Sequence, residues 1–272
     1  MCRISKEQEK RILDLTLEGA TVRGIERLTG CHRDTVCRTL KRVGPICARD
    51  MDRRLSGIKC QTVEIDECWS YSGCKQAVAK HKGRGSDWGD TYVVFGLDRD
   101  SRAVVGHAIG LRDKVTAVDL VSVLKNRILG PFDIIGDEFK GFEYAVDVVI
   151  GDGANFAQIK KHFVRPIPPY YEGYRPGGIM KTEPVRRRGN PDLSRATTSH
   201  AERFNWTLRT RLRRFTRLSN GFSRSLPHHI GALSLFLWDY NFKRAHGAHK
   251  RTPAMALGVT AHPLVWDDLC IY

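Results

Sequence analysis

The spacing of apolar residues changes character near residue 61, and that change sets what the chain can fold into. Ahead of it, apolar side chains recur every three or four positions, as on one face of a helix. Residues 6–18 carry Ile12, Leu13, Leu15 and Leu17 and stop at Gly19. Thr21 is placed to cap a second helix bearing Val22, Ile25 and Leu28. A Thr-Gly-Cys turn follows at 29–31, then residues 32–43 with Val36, Leu40 and Val43 facing inward. Gly44-Pro45 is expected to end that helix. Helix, short glycine-containing turn, helix is the pattern of a helix-turn-helix. Any small three-helix bundle shares it. The outer side of the third helix nevertheless offers His32, Arg33, Thr35, Arg38, Lys41 and Arg42, donors suited to a DNA major groove. We therefore expect an all-α helix-turn-helix DNA-binding domain at 1–44 and a connector at 45–60.

From Gln61 onward the alternation is that of strands. Residues 62–66 set Val63 and Ile65 against Glu64 and Asp66. Two apolar runs, 91–98 and 103–110, flank an Asp-Arg-Asp-Ser turn and read as an antiparallel pair. Residues 114–129 form an amphipathic helix with Val118, Val121, Leu124 and Ile128 inward. A short buried strand at 132–136, a helix at 139–146 and a strand near 156–160 follow. This order matches the ribonuclease H-like α/β fold, a mixed sheet with flanking helices, here over 61–272. Residues 165–198, rich in Pro, Gly, Tyr and Arg, read as a loop or insertion. Helices are expected at 198–217 and 226–244, with short helical pieces in the tail.

The chain has 272 residues, 45 Lys and Arg against 30 Asp and Glu, and a net charge of +15. Such an excess favours a polyanionic partner such as nucleic acid. No apolar run reaches membrane length, and the charged opening residues do not resemble a signal peptide, so a cytoplasmic, nucleoid-associated protein is expected. Eight cysteines occur without a Cys-x-x-Cys pair, which favours small buried hydrophobes over a zinc site.

The stretch from Arg186 to Arg224 holds eleven arginines and only two acids, Asp192 and Glu202. A lone glutamate on an arginine-laden helix makes sense if it holds a divalent metal while the arginines hold phosphates. On that helix Ala201, Phe204, Leu208, Leu212 and Phe215 form the core stripe, and Trp206, Arg209 and Arg213 lie beside Glu202. Asp66 stands at the end of one expected strand and Asp137 directly after another, positions where side chains converge on ligands. Crowded carboxylates need a cation between them, and an open oxygen cluster suits Mg²⁺, with Mn²⁺ as a substitute. Taken singly, Asp66 could be a strand-end cap, Asp137 a helix cap, and Glu202 an intrahelical partner of Arg203. Glu64, Glu67, Glu138 and Asp152 compete as ligands, and no spacing rule decides among them. His200 reads as structural or DNA-adjacent rather than as a ligand.

Several segments carry a resemblance: IDECWSYSG at 65–73, GDEFKGFEYAV at 136–146, the arginine-rich block at 189–226, and YNFKRAHGAHKRTPAMALGV at 240–259. With LEGATVRGIERLTG at 17–30 and GPICARD at 44–50, they cover almost the whole chain. Together they resemble the DDE transposases of the bacterial insertion sequence 1 type. In that family the aspartate before Glu-x-Trp, the aspartate after the short fourth strand and the glutamate before Arg-x-Asn are catalytic. These fall on Asp66, Asp137 and Glu202, which demotes Glu67 and Glu138. Here the second acid stands in Gly-Asp-Glu, where family members often show Thr-Asp-Gly.

The resemblance implies metal-dependent DNA transposition, a form of DNA recombination that moves a mobile element. The helix-turn-helix would bind terminal inverted repeats in double-stranded DNA. Hydrolysis would free 3′-hydroxyl ends, and those ends would attack target DNA. Arg209, Arg213 and Arg217 are placed to contact phosphates, and Asn205 and Trp206 to brace the donor end. Joining two ends implies a homo-oligomer on DNA. The competing readings are a catalytically inactive, transposase-derived DNA-binding regulator and a ribonuclease H-like repair nuclease.

Overall fold

The computed structural model describes residues 4–163, 178–217 and 219–269. Three helices open the chain: α1 (Lys6–Leu17), α2 (Val22–Thr29) and α3 (Arg33–Arg54). Ser5 caps α1 reciprocally with Gln8, and Thr21 caps α2 through the Gly24 N–H. Gly30, at φ 70°, closes α2 in the left-handed conformation that only glycine adopts freely.

The expected stop at Gly44-Pro45 is not used. α3 runs through it for 22 residues. Pro45 is exposed, so water can reach the Lys41 carbonyl that its missing N–H leaves unpaired. Gly44 serves the packing: a Cβ there would lie 2.3 Å from the Cα of Gly231, so the two glycines let α3 and α8 (Leu226–Trp238) cross backbone to backbone. Farther along α3, Asp50 accepts from the Trp238 indole at 2.8 Å and from Arg53 and Arg54 at 2.6 and 2.7 Å.

The centre of the molecule is a six-stranded mixed sheet flanked by helices, in the order β3-β2-β1-β4-β5-β6. The expected hairpin is present: β1 (Thr62–Ser72), β2 (Gly89–Asp98) and β3 (Val104–Gly110) are antiparallel neighbours. α4 (Gln76–His81) lies between β1 and β2. α5 (Lys114–Arg127) crosses to β4 (Asp133–Gly136), which pairs parallel with β1. α6 (Lys140–Val149) leads to β5 (Asn155–Phe163), parallel to β4. This order is compatible with the ribonuclease H-like arrangement.

One correction concerns residues 165–198, expected as a loop. Residues 164–177 lie outside the described residues, but Ile179–Arg188 forms the edge strand β6, antiparallel to β5. α7 (Ser199–Arg211) is shorter than expected, with a 3-10 turn at Arg213–Phe215. After α8 the chain passes into a π-helical turn at Asp239–Lys243, and α9 (Pro253–Ala256) packs back as part of the tail.

Each face of the sheet buries its own core. Cys68, Val93, Phe95 and Leu97 pack with Leu13, Leu40, Val43, Phe204, Phe236 and Trp238 from α1, α3, α7 and α8. Val63, Ile65 and Val94 pack on the other face with α5 and α6. Cys31, Cys47, Cys60 and Cys68 are free and buried, as their composition implied. Among the described residues, no helix is long and apolar enough to cross a membrane.

Candidate metal centre and its basic surroundings

β1 and β4 run parallel, with Glu64 opposite Ile135. Carried on by two residues, that register sets Asp66 opposite Asp137, where β4 has ended; Asp66, expected at a strand end, instead lies mid-strand, because β1 continues to Ser72 on its pairing with β2. Asp66, Glu67 and Asp137 each offer an oxygen, and the three lie within 4.8 Å of one another. Strand pleating sends Asp66 and Glu67 to opposite faces. Because β4 ends at Gly136, that side of β1 is open there, and both side chains reach the same space around the edge.

Each carboxylate is held by its neighbours. Asp66 accepts from the Asn205 side-chain amide at 2.8 Å and from the Glu67 N–H at 2.8 Å. Asp137 accepts from the Phe139 N–H at 3.0 Å. Arg112 donates to Glu67 Oε1 at 2.6 Å and stands 3.9 Å from Asp137. Glu67 Oε2 is buried without a hydrogen-bond partner. A buried acceptor of this kind is costly unless something binds it. Hard oxygen donors, an orphan acceptor and mutual crowding fit a Mg²⁺ or Mn²⁺ ion.

Glu202 lies outside that close group. Its carboxylate meets the Lys161 ammonium at 2.5 Å and the Thr198 hydroxyl at 3.1 Å. Lys161 also interacts electrostatically with Asp66 and Asp137, so Glu202 borders the same crevice across one lysine. Glu67, a competing ligand that the family resemblance demoted, is therefore a member of the cluster. The open edge of β1 is what brings it in, and no residue pattern announces that edge.

Burial pushes the Asp66 carboxyl up to about 8, reinforced by Glu67 and Asp137; Glu67 is raised for the same reasons. A carboxyl raised above its unfolded value of 3.8 favours folding only while protonated. The metal-free protein therefore loses stability as pH rises from about 4 through 8. A divalent cation removes that penalty. Thermal melts are expected to show Mg²⁺ or Mn²⁺ raising Tm more near pH 8 than near pH 5, with Asp66→Asn reducing the pH-dependent part and leaving the contribution of Glu67. Equal shifts at both pH values would separate Asp66 from cation binding.

Glu64 has a different task from its neighbour. It is fully buried, accepting from the His200 and Ala201 N–H groups at 3.0 Å and meeting His200 Nδ1 at 2.5 Å. It thus caps α7 from β1 and fixes the helix that carries Asn205 and Glu202. His200 is structural, as expected. Glu138 is exposed, and Asp152 pairs with Arg188.

The residues expected to meet DNA divide. Asn205 is 7% exposed and holds Asp66; it braces the carboxylate and does not face a duplex. Trp206 is exposed, under the Arg203 guanidinium at 4.3 Å from its ring. Arg209 is half-buried, while Arg213 and Arg217 are exposed. On α3, Arg33, Arg38, Lys41 and Arg42 lie on the outer side and Thr35 is half-buried, bonded to Arg38 at 3.2 Å; Arg42 pairs with Glu9 of α1. Arg33 and Arg38 share a groove of about 740 Å³ with Arg214 and Arg224, so the basic surfaces of the N-terminal helices and of the segment after α7 are continuous. Comparison of the chain with family models and with curated proteins finds no match.

Proposed function

We propose that the chain is a DDE transposase that cuts DNA at the ends of a mobile element and joins the freed 3′-hydroxyls to target DNA. The observation that carries this reading is the convergence of Asp66 and Asp137 from adjacent parallel strands, with Glu202 across Lys161, beside an arginine-rich surface. The ribonuclease H-like order of the sheet and the helix-turn-helix reading of α2, Gly30 and the first half of α3 support it.

Asp66, Asp137 and Glu202 would hold Mg²⁺ or Mn²⁺, with Glu67 as the neighbouring acid. When bound, the cation would supply Lewis-acid activation of the scissile phosphate and its attacking oxygen. The protein's own residues set the geometry. Asn205 and the Glu67 N–H fix both oxygens of Asp66, and the Phe139 N–H fixes Asp137. Glu64 locks the start of α7, so Glu202 and Asn205 are positioned as one piece. Arg213 and Arg217 are exposed to bind the DNA backbone. Water attacks phosphorus and the bond to the 3′ oxygen breaks. That 3′-hydroxyl then attacks a target phosphorus and displaces a second 3′ oxygen. Two ends must be present together, which calls for more than one copy of the chain on DNA.

The test is an end-joining assay with the DNA that flanks the gene, in Mg²⁺ or Mn²⁺. Nicks bearing 3′-hydroxyls and strand-joined products are expected. Binding without nicking would replace this reading with the regulator, and nicking without joined product with a nuclease.

A further inference from the structure

Beyond Glu64, β1 keeps β2 on one side only, and the segment after α7 comes alongside the other. The Gly73 N–H donates to the Ser223 carbonyl at 2.7 Å, and Ser72 bridges to Ser223. Between strand and segment opens a cleft of about 440 Å³. Its walls are aromatic. Trp69 and Tyr71 are successive residues on one face of β1, with ring centroids 5.7 Å apart, and Phe222 stands 5.0 Å from Tyr71. All three rings are half-buried, unlike the fully buried aromatics of the two cores. The cleft's charged lining is wholly basic: Lys75, Arg214 and Arg217, with no acid. Arg214 donates to the Ser223 hydroxyl at 3.1 Å but forms no ion pair among the described residues. Its guanidinium is left to be met by an anion from outside.

Flat apolar faces beside unmatched guanidinium groups select a ligand with a ring and a negative charge. The volume is that of a small-molecule site and far below that of a duplex. Trp69 is three residues along the strand from Asp66, about 10 Å at the rise of an extended chain. We infer that this cleft holds one unpaired nucleotide of a DNA strand, its base against Tyr71 and Phe222 and its phosphate on Arg214 and Arg217. The inference rests on the reading of DNA as the substrate. It adds a site that holds a base by its face, close to the carboxylates yet separate from them. Aromatic stacking of this kind accepts any base, because every base has a π-face. The cleft would therefore fix the path of the strand without reading its sequence.

The experiment uses the full chain in EDTA, so that no cleavage is involved. A short single-stranded oligonucleotide with one 2-aminopurine among thymidines is compared with an abasic oligonucleotide of the same length, and so of equal charge. The base-bearing strand is expected to bind roughly tenfold more tightly, the scale of one base–aromatic stack, and its fluorescence to be quenched. Tyr71→Leu and Phe222→Leu are each expected to remove that preference while leaving abasic binding and Tm unchanged. Arg214→Gln is expected to weaken both ligands alike. Equal binding of base-bearing and abasic strands by the unaltered protein overturns the inference without any variant having to fold. So does a preference that survives both leucine substitutions. A chain that shows the preference but never cuts DNA keeps this site and loses the transposase reading; one that cuts without the preference does the reverse.

Discussion

Asp66→Asn and Asp137→Asn are each expected to lower DNA cleavage by about 10³-fold or more, with duplex binding essentially unchanged. The size follows from the several kcal/mol of charge stabilisation that a bound cation contributes at phosphorus, at about 1.4 kcal/mol per tenfold in rate. The fold should tolerate the change. Asp66 accepts one bond from Asn205 and one from the Glu67 N–H, and an asparagine there keeps only one acceptor oxygen. The lost bond is worth about 1 kcal/mol, well below the catalytic effect. Single-turnover cleavage of a labelled duplex, with mobility shift on the same duplex, separates the two. Glu202→Gln is expected to match the aspartate variants, and Glu67→Gln to be milder. The opposite ranking would make Glu67 the third ligand and leave Glu202 as the partner of Lys161.

Gly44→Ala is expected to destabilise the protein by about 3 kcal/mol, at the upper end of the overpacking range. Two effects oppose each other. Alanine is the better helix former by roughly 1 kcal/mol, and on an exposed helix face that gain would prevail. Here the new methyl would sit 2.3 Å from the Gly231 Cα and 2.6 Å from its carbonyl oxygen. These are backbone atoms, so no side chain can rotate away. α3 and α8 must separate, and with them the buried Val43, Cys47, Leu233 and Leu237. Denaturant unfolding reads the loss as a lower midpoint. Stability equal to or above that of the parent would show that the helices are not held at this crossing.

Much of the fold was legible because its elements write their burial into the sequence. α5 shows the period of one buried helix face, while β2, β3 and the short strand before Asp137 show as apolar runs. β6 was not legible. Its residues, including Lys181, Glu183, Pro184 and Arg186–Arg188, are largely exposed on both faces of an edge strand, so no alternation marks it. α3 was cut short on paper because Gly-Pro ordinarily ends a helix, whereas its glycine answers to Gly231, 187 residues away. At the site, Asp137 was legible as an acid directly after a strand, whereas Asp66, read as a strand end, lies within β1, whose continuation to Ser72 was not foreseen. Glu67 stayed a competing ligand on the residues alone and was demoted only by the family resemblance, and the contact of Asn205 with Asp66 was hidden because it joins residues 139 positions apart.

The uninterrupted course of α3 has a mechanical consequence. At 1.5 Å per residue its 22 residues extend about 33 Å, and about 26 Å of that separates the Arg33 end from the Asp50–Trp238 contact on α8. The glycine crossing clamps the rod partway along, one residue before Pro45, the point where a helix bends most readily. To swing the first helices relative to the sheet, the chain would have to bend this lever at its clamp or unseat it from α8.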